Sequence, residues 1–168
     1  MKETHMVKGL KILGLTAIVA CGLSSQAFAQ DKGCIALKST AEVEQEVVNA
    51  KGEKSTKLVP LTKVVPGVEV IWTITANNIC KQPSEKVSIN DAVPEHMTYV
   101  ANSAIGPGAD IEFSVDGKTF AAADQLTVVE SGASRKARAD EYTAIRWNFK
   151  NSFAPGAQGF GRFRAILN

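Results

Sequence analysis

From Ile35 to the last residues of the chain, apolar side chains return at every second position, and no stretch shows the period of a helix. In Ile35–Val48, Ile35, Leu37, Ser39, Ala41, Val43, Gln45 and Val47 fall on one side. Lys38, Thr40, Glu42, Glu44 and Glu46 fall on the other, which is the pattern of a half-buried strand. Glu42–Val48 has some helix propensity, but the alternation outweighs it. Asn49-Ala50-Lys51-Gly52 reads as a turn. Pro66-Gly67 is a second turn, launching Val68, Val70, Trp72, Ile74 and Ala76 on one face with Glu69, Thr73 and Thr75 opposite. Further strands are expected at Lys86–Asn90, Met97–Ala101, Asp110–Val115, Gln125–Glu130 and Tyr142–Phe149. A last strand follows Gly159, with Phe163, Ala165 and Leu167 facing in and Arg162 and Arg164 facing out. About eight or nine short strands hide their apolar faces only by packing sheet on sheet, so the expected fold is an all-β sandwich.

The first residues read as an address. Lys2, Lys8 and Lys11 precede the apolar run Ile12–Cys21, and Ala27-Phe28-Ala29 supplies small residues at alternate positions. That is the layout of a secretory signal peptide, residues 1–29, cut before Gln30. The apolar run is too short to span a membrane, and no later stretch is longer. Ile18-Val19-Ala20-Cys21 offers a competing lipoprotein signal in which Cys21 carries the lipid, but the small-x-small site at Ala29 is complete. Either route exports the chain, to the periplasm, the cell surface or the medium. Residues 30–168 are then expected to form one domain with no internal repeat.

The whole chain has 19 basic and 17 acidic residues. Loss of Lys2, Lys8, Lys11 and Glu3 leaves 16 of each, so the exported part is neutral and offers nothing to nucleic acid. The charge is unevenly placed. Residues 131–168 hold Arg135, Lys136, Arg138, Arg146, Lys150, Arg162 and Arg164 against Asp140 and Glu141, a surplus of +5, and residues 30–130 carry −5.

One ordered series of motifs is familiar. Val65-Pro66-Gly67-Val68-Glu69-Val70-Ile71-Trp72-Thr73-Ile74-Thr75-Ala76-Asn77-Asn78 is followed by Val87-Ser88-Ile89-Asn90-Asp91-Ala92-Val93-Pro94 and by Met97-Thr98-Tyr99-Val100. This resembles the bacterial cell-surface conserved-repeat domain, known as domain of unknown function eleven. The likeness continues more weakly through Phe113–Phe120 and Ile145-Arg146-Trp147. It implies an immunoglobulin-like β-sandwich on an exported or surface protein. The chain departs from the family's habit in carrying one copy and no cell-wall anchor. The family has no established catalytic residues to carry over.

Cys34 and Cys80 are the only cysteines after Ala29. Cys34 begins the first strand and Cys80 follows the Val68–Ala76 strand, so antiparallel pairing of the two brings the cysteines together. In an oxidising compartment an even pair forms a structural disulfide. Asp110, Glu112, Asp116 and Asp124 lie close in sequence but lack the order of a calcium loop, and Asp116-Gly117 reads as a hairpin turn. His96 is the one histidine of residues 30–168 and follows Pro94 in an expected surface turn. No nucleophile elbow, zinc motif, phosphate loop or dinucleotide fingerprint accompanies it, so no catalytic, metal or cofactor site is assigned.

The remaining candidates are charged faces, with Glu42, Glu44 and Glu46 on an early strand and Arg162 and Arg164 on the last, Arg146 beside them. They either pair within the chain or meet on neighbouring copies. The function expected is that of a non-enzymatic structural or interaction module of the bacterial envelope or surface, binding other envelope or surface proteins or itself. The alternative is a glycan- or matrix-binding module with Trp72 and Trp147 as sugar platforms, although both fall on inward faces.

Overall fold

The alternating segment Ile35–Val48 is one long strand, β1, and it serves two neighbours in turn. Its first half, Ile35–Glu42, pairs antiparallel with β3 (Glu69–Asn78), and its second half, Glu42–Val48, pairs with β2 (Lys54–Pro60). The computed structural model describes residues 33–168 apart from Val64. The signal peptide expected over 1–29 and the competing lipidation site at Cys21 lie outside the described residues. Among the described residues no helix is long and apolar enough to cross a membrane.

Seven more strands complete the chain: β4 (Ser88–Ala92), β5 (Met97–Tyr99), β6 (Ala109–Ser114), β7 (Thr127–Glu130), β8 (Ala133–Lys136), β9 (Ala144–Phe149) and β10 (Gln158–Leu167). A five-stranded sheet runs β2-β1-β3-β10-β5, a three-stranded sheet runs β4-β9-β6, and β7-β8 is a separate hairpin. All pairings between these strands are antiparallel. The fold is an all-β sandwich.

The two larger sheets meet over β3, β10 and β9. Ile74 and Ala76 from β3 and Phe163 and Ala165 from β10 face Ile89, Phe113, Ile145, Trp147 and Phe149, all buried. Trp147 is fully buried, its ring 6.3 Å from that of Phe163. Its indole N–H donates to the Ile105 carbonyl at 3.0 Å, so the polar handle is satisfied. Room for the indole comes from Gly161 on β10, where an added Cβ would run into the Trp147 ring. Tyr99, Phe113 and Tyr142 close one end of the core, with Phe113 and Tyr142 stacked at 4.5 Å.

Two strands, β2 and β8, carry no apolar alternation and were not expected from the sequence. β2 is an edge strand and β8 belongs to a surface hairpin, so neither needs a buried face. Ser131 and Gly132, both at positive φ, make the two-residue turn between β7 and β8.

β1 departs from expectation in another way. Its apolar positions do share one face, yet none is buried, and Leu37 is 56% exposed. The five-stranded sheet is wider than the sheet that covers it. Ile35 at the start of β1 packs against the core, while the rest of β1 and β2 stand beyond the covered strands and overhang.

Candidate functional site

Register places the predicted charged residues on the outward face of the five-stranded sheet. Thr73 pairs with Arg162 and Ile71 with Arg164 across β3 and β10, while Glu42 pairs with Ile71 across β1 and β3. Arg164 reaches both ways along this face, to Glu69 at 2.6 Å and Glu44 at 2.8 Å. These charge-assisted bonds, Glu69 first and Glu44 second, hold its guanidinium above its ordinary pKa. The stem of Arg164 runs beside Ile71, an outward-facing residue that is nonetheless buried. Arg162 donates from Nε to the Thr73 hydroxyl at 2.9 Å and lies over the Phe160 ring at 5.6 Å. Glu46 pairs with Lys54 at 2.9 Å across the β1–β2 hairpin. Ion pairs this exposed contribute only about 0–1 kcal/mol each.

Arg146 is not beside Arg162 and Arg164. It sits on β9, in the three-stranded sheet, while they sit on β10, in the five-stranded one. β9 and β10 are neighbours in sequence but belong to opposite layers, so proximity along the chain misleads. On its own sheet Arg146 donates from Nε to Asn90 Oδ1 at 2.8 Å, approaches Glu112 at 3.8 Å and lies over the Phe120 ring at 3.8 Å.

The surplus of residues 131–168 is partly neutralised by the acidic half through Arg135–Glu130, Arg146–Glu112, Lys150–Asp110 and Arg164 with Glu44 and Glu69, while Asp140 and Glu141 serve arginines of their own segment. Arg135 pairs with Glu130 and Glu141, each at 2.6 Å, and Arg138 pairs with Asp140 at 3.3 Å and Glu141 at 3.2 Å. Lys150 pairs with Asp110 at 2.7 Å. The Arg135 side chain and the Arg138 backbone N–H together draw Glu141 down to about 2. A basic half free to meet an acidic half in trans is therefore not what the fold presents.

What it does present is the overhang. β2 forms one edge of its sheet and pairs with β1 only over Glu42–Val48, so the β2 side of β1 is open over Ile35–Thr40. Val48 is 60% exposed and Leu58 is 39% exposed, and Val65 and Ile79 are also bare. Lys54, Lys57 and Pro60 on β2 are residue types that discourage indiscriminate edge pairing.

Cys34 and Cys80 form a disulfide, with their Cα atoms 5.1 Å apart, where the start of β1 lies beside the end of β3. Bonds of this kind persist in the oxidising environment that exported proteins meet. Asn78, fully buried next to it, donates through its amide to the Gln82 and Phe153 carbonyls, both at 2.8 Å. Its Oδ1 accepts from the Cys80 N–H at 3.0 Å, so one side chain fixes the approach to the disulfide.

Asp110 and Glu112 point at Lys150 and Asn148 and do not converge with Asp116. Among the described residues no three His, Cys, Asp or Glu side chains gather into a metal-holding group. Asp116 caps its own turn instead. It accepts from the Lys118 and Thr119 N–H groups at 2.8 and 2.7 Å and from the Thr119 and Ser114 hydroxyls at 3.0 and 2.9 Å. These bonds hold its carboxyl far below the ordinary range. His96 is exposed in the turn before β5. Trp147 is core, and Trp72 is half-buried on the inward side of β3 opposite Phe163, with its indole nitrogen buried and unpartnered. Neither tryptophan offers a flat exposed face to a sugar.

Sequence reasoning passed over the partners that make these sites, Glu69 and Thr73 on β3 and Asn90 and Phe120 around Arg146. They sit far from their partners in sequence, and only strand register brings them together. Comparison of the chain with family models, with curated proteins and with solved structures finds no match to any of them.

Proposed function

We propose that the chain is a non-enzymatic, exported structural or interaction module of the bacterial envelope or surface, acting through protein–protein contacts and associating with further copies of itself. The ordered motifs that resemble the conserved-repeat domain support reading the sandwich as immunoglobulin-like. The observation that carries the proposal is the β1–β2 side of the five-stranded sheet, where Leu37 stands exposed on the inward face and Val48 and Leu58 on the outward face, beside an open strand edge. Exposed strand edges beside apolar side chains are sites of strand addition and assembly.

Because Arg164 is engaged by Glu44 and Glu69, the association is expected to be apolar rather than electrostatic. Size-exclusion chromatography and negative-stain microscopy of the exported protein across a salt series test this. Particles or fibres that survive high salt, and that Leu37→Lys with Leu58→Lys disperses, support it. A monomer at every salt and concentration rejects self-association. Assembly that dissolves with salt, or on charge reversal at Arg162 and Arg164, moves the contact to the charged face.

A further inference from the structure

The β1–β2 side of the five-stranded sheet is a step, not a straight edge. β2 flanks β1 only from Glu42 onward, and the Leu61 N–H just after β2 closes on the Ala41 carbonyl at 3.0 Å. N-terminal to Ala41, among the described residues, no strand pairs with β1 on that side. A notch one strand wide therefore runs along Ile35–Thr40.

The backbone groups that face the notch follow from bonds already made. The Cys34 carbonyl accepts the Ile79 N–H on the β3 side at 2.9 Å, while the Ala41 carbonyl points the other way, to Leu61. In a paired strand the N–H and C=O of one residue point to the same side, and that side alternates from residue to residue. Ala36, Lys38 and Thr40 thus bond to β3, and Ile35, Leu37 and Ser39 aim their donors and acceptors into the notch. The outer edge of β2 is better guarded. By the same alternation Lys54, Thr56, Leu58 and Pro60 turn their backbones outward, but Pro60 has no N–H to give, and Lys54 and Lys57 put charge along the strand.

The notch fits a second copy of itself. A two-fold axis perpendicular to the sheet, passing through the Ala36 pair, lays the start of β1 antiparallel to its own copy. Ile35 then lies opposite Leu37 of the second copy and exchanges both backbone bonds with it. Both side chains are on the inward face, where Leu37 is 56% exposed and gains an apolar neighbour. On the outward face Ala36 meets Ala36, small enough for the spacing of about 4.5 Å in a pair that exchanges no bonds. An axis through Leu37 would drive Gly33 onto the Ala41 carbonyl that Leu61 already holds. An axis through Lys38 would stack Lys38 on Lys38, which repels. Resting on the self-association proposed for this side, we infer that two copies join through the notch at Ile35–Ser39 as a closed two-fold dimer, their five-stranded sheets merged into one.

The test is amide hydrogen exchange, read residue by residue by NMR on the exported protein from low to high concentration, with size-exclusion chromatography alongside. A dimer is expected, in which the Ile35 and Leu37 amides exchange at least about tenfold more slowly than in the monomer. The Thr56 and Leu58 amides on the outer edge of β2 are expected to stay fast. Leu37→Pro deletes a notch-facing N–H and leaves the β3 ladder intact, so it should raise the dimer dissociation constant at least about tenfold. Leu37→Thr keeps the N–H and loses the apolar chain, and should raise it about threefold. Leu58→Pro should leave it unchanged. A monomer at every concentration overturns the pairing and the self-association reading together. Association in which the Ile35 and Leu37 amides stay fast, or which Leu58→Pro disperses and Leu37→Pro does not, overturns the pairing alone and moves the contact to another edge. Because the exchange measurement needs no substitution, a folding failure in Leu37→Pro does not rescue the idea.

Discussion

The two ends of the five-stranded sheet solve the same problem differently. Over β3 and β10, Ile74, Ala76, Phe163 and Ala165 are buried against the opposing layer, closely enough that Gly161 has no room for a methyl group above Trp147. Over β1 the same alternation of side chains finds the opposing layer only at Ile35, and Leu37 stands mostly in water. The strand pattern is equally regular in both regions. Period two reports which residues share a face, while burial depends on whether a second sheet reaches that far. One end of the sheet holds the fold together, and the other is left available.

The largest effect that would sharpen this contrast is Trp147→Ala, expected to cost about 5 kcal/mol in urea unfolding because it removes a fully buried ring from a close-packed site. A loss near that of a surface change would mean the covered half is not the core. Next is the staple between the two regions. Cys34→Ser with Cys80→Ser opens a loop with a sequence separation of 46 and is expected to cost about 2–4 kcal/mol, read as a drop in the thermal midpoint.

A smaller and pH-dependent effect belongs to Glu141, in the short turn Ala139–Glu141 after β8, whose carboxylate holds Arg135 of that strand. Glu141 titrates at about 2 against an ordinary 4.5, so it stays charged in the fold where the unfolded chain takes up a proton. Its stabilisation is present above pH 4.5 and is lost as pH falls toward 2. Glu141→Gln should lower the midpoint at neutral pH and flatten the acid limb of the curve. An acid limb identical to that of the parent would sink the assignment. The smallest effect is expected from Leu37→Ala, within about 0.5 kcal/mol by the same unfolding measurement, since the side chain is already mostly exposed. A cost of about 2 kcal/mol or more there would break the comparison, because the underside of β1 would then have to be covered.

Much of the fold was legible in the residues. The bounds of β1 follow from the alternation, and the meeting of Cys34 with Cys80 follows from antiparallel pairing of the two strands that carry them. β2 was not legible, since Lys54-Ser-Thr-Lys57 has no face to hide, and β8 was signalled only by Ser131-Gly132, the residues of its turn. The charged candidates were legible as strand faces but not as neighbours. Arg164 finds Glu69 at a separation of 95 and Glu44 at 120, distances along the chain that no local pattern encodes. Arg146 was misplaced for the related reason that consecutive strands of a sandwich often change layers. The surroundings of Arg146 drew no notice because Asn90 and Phe120 look like ordinary strand and turn residues until the fold sets them beside it.

The cross-link between the start of β1 and the end of β3 also decides how the domain would respond to tension. If force is applied at residues 33 and 168, it enters at Cys34 and passes through the sulfur bridge to Cys80, bypassing everything between. The stretch of chain thus shielded, 46 residues in sequence separation, would extend by about 150 Å if released. Held by the bridge, β1, β2 and β3 cannot be drawn out as slack even after their hydrogen bonds break. A subunit joined to others through that hairpin would keep its joint intact while the rest of the sandwich unravels, yielding in the β4–β10 half first.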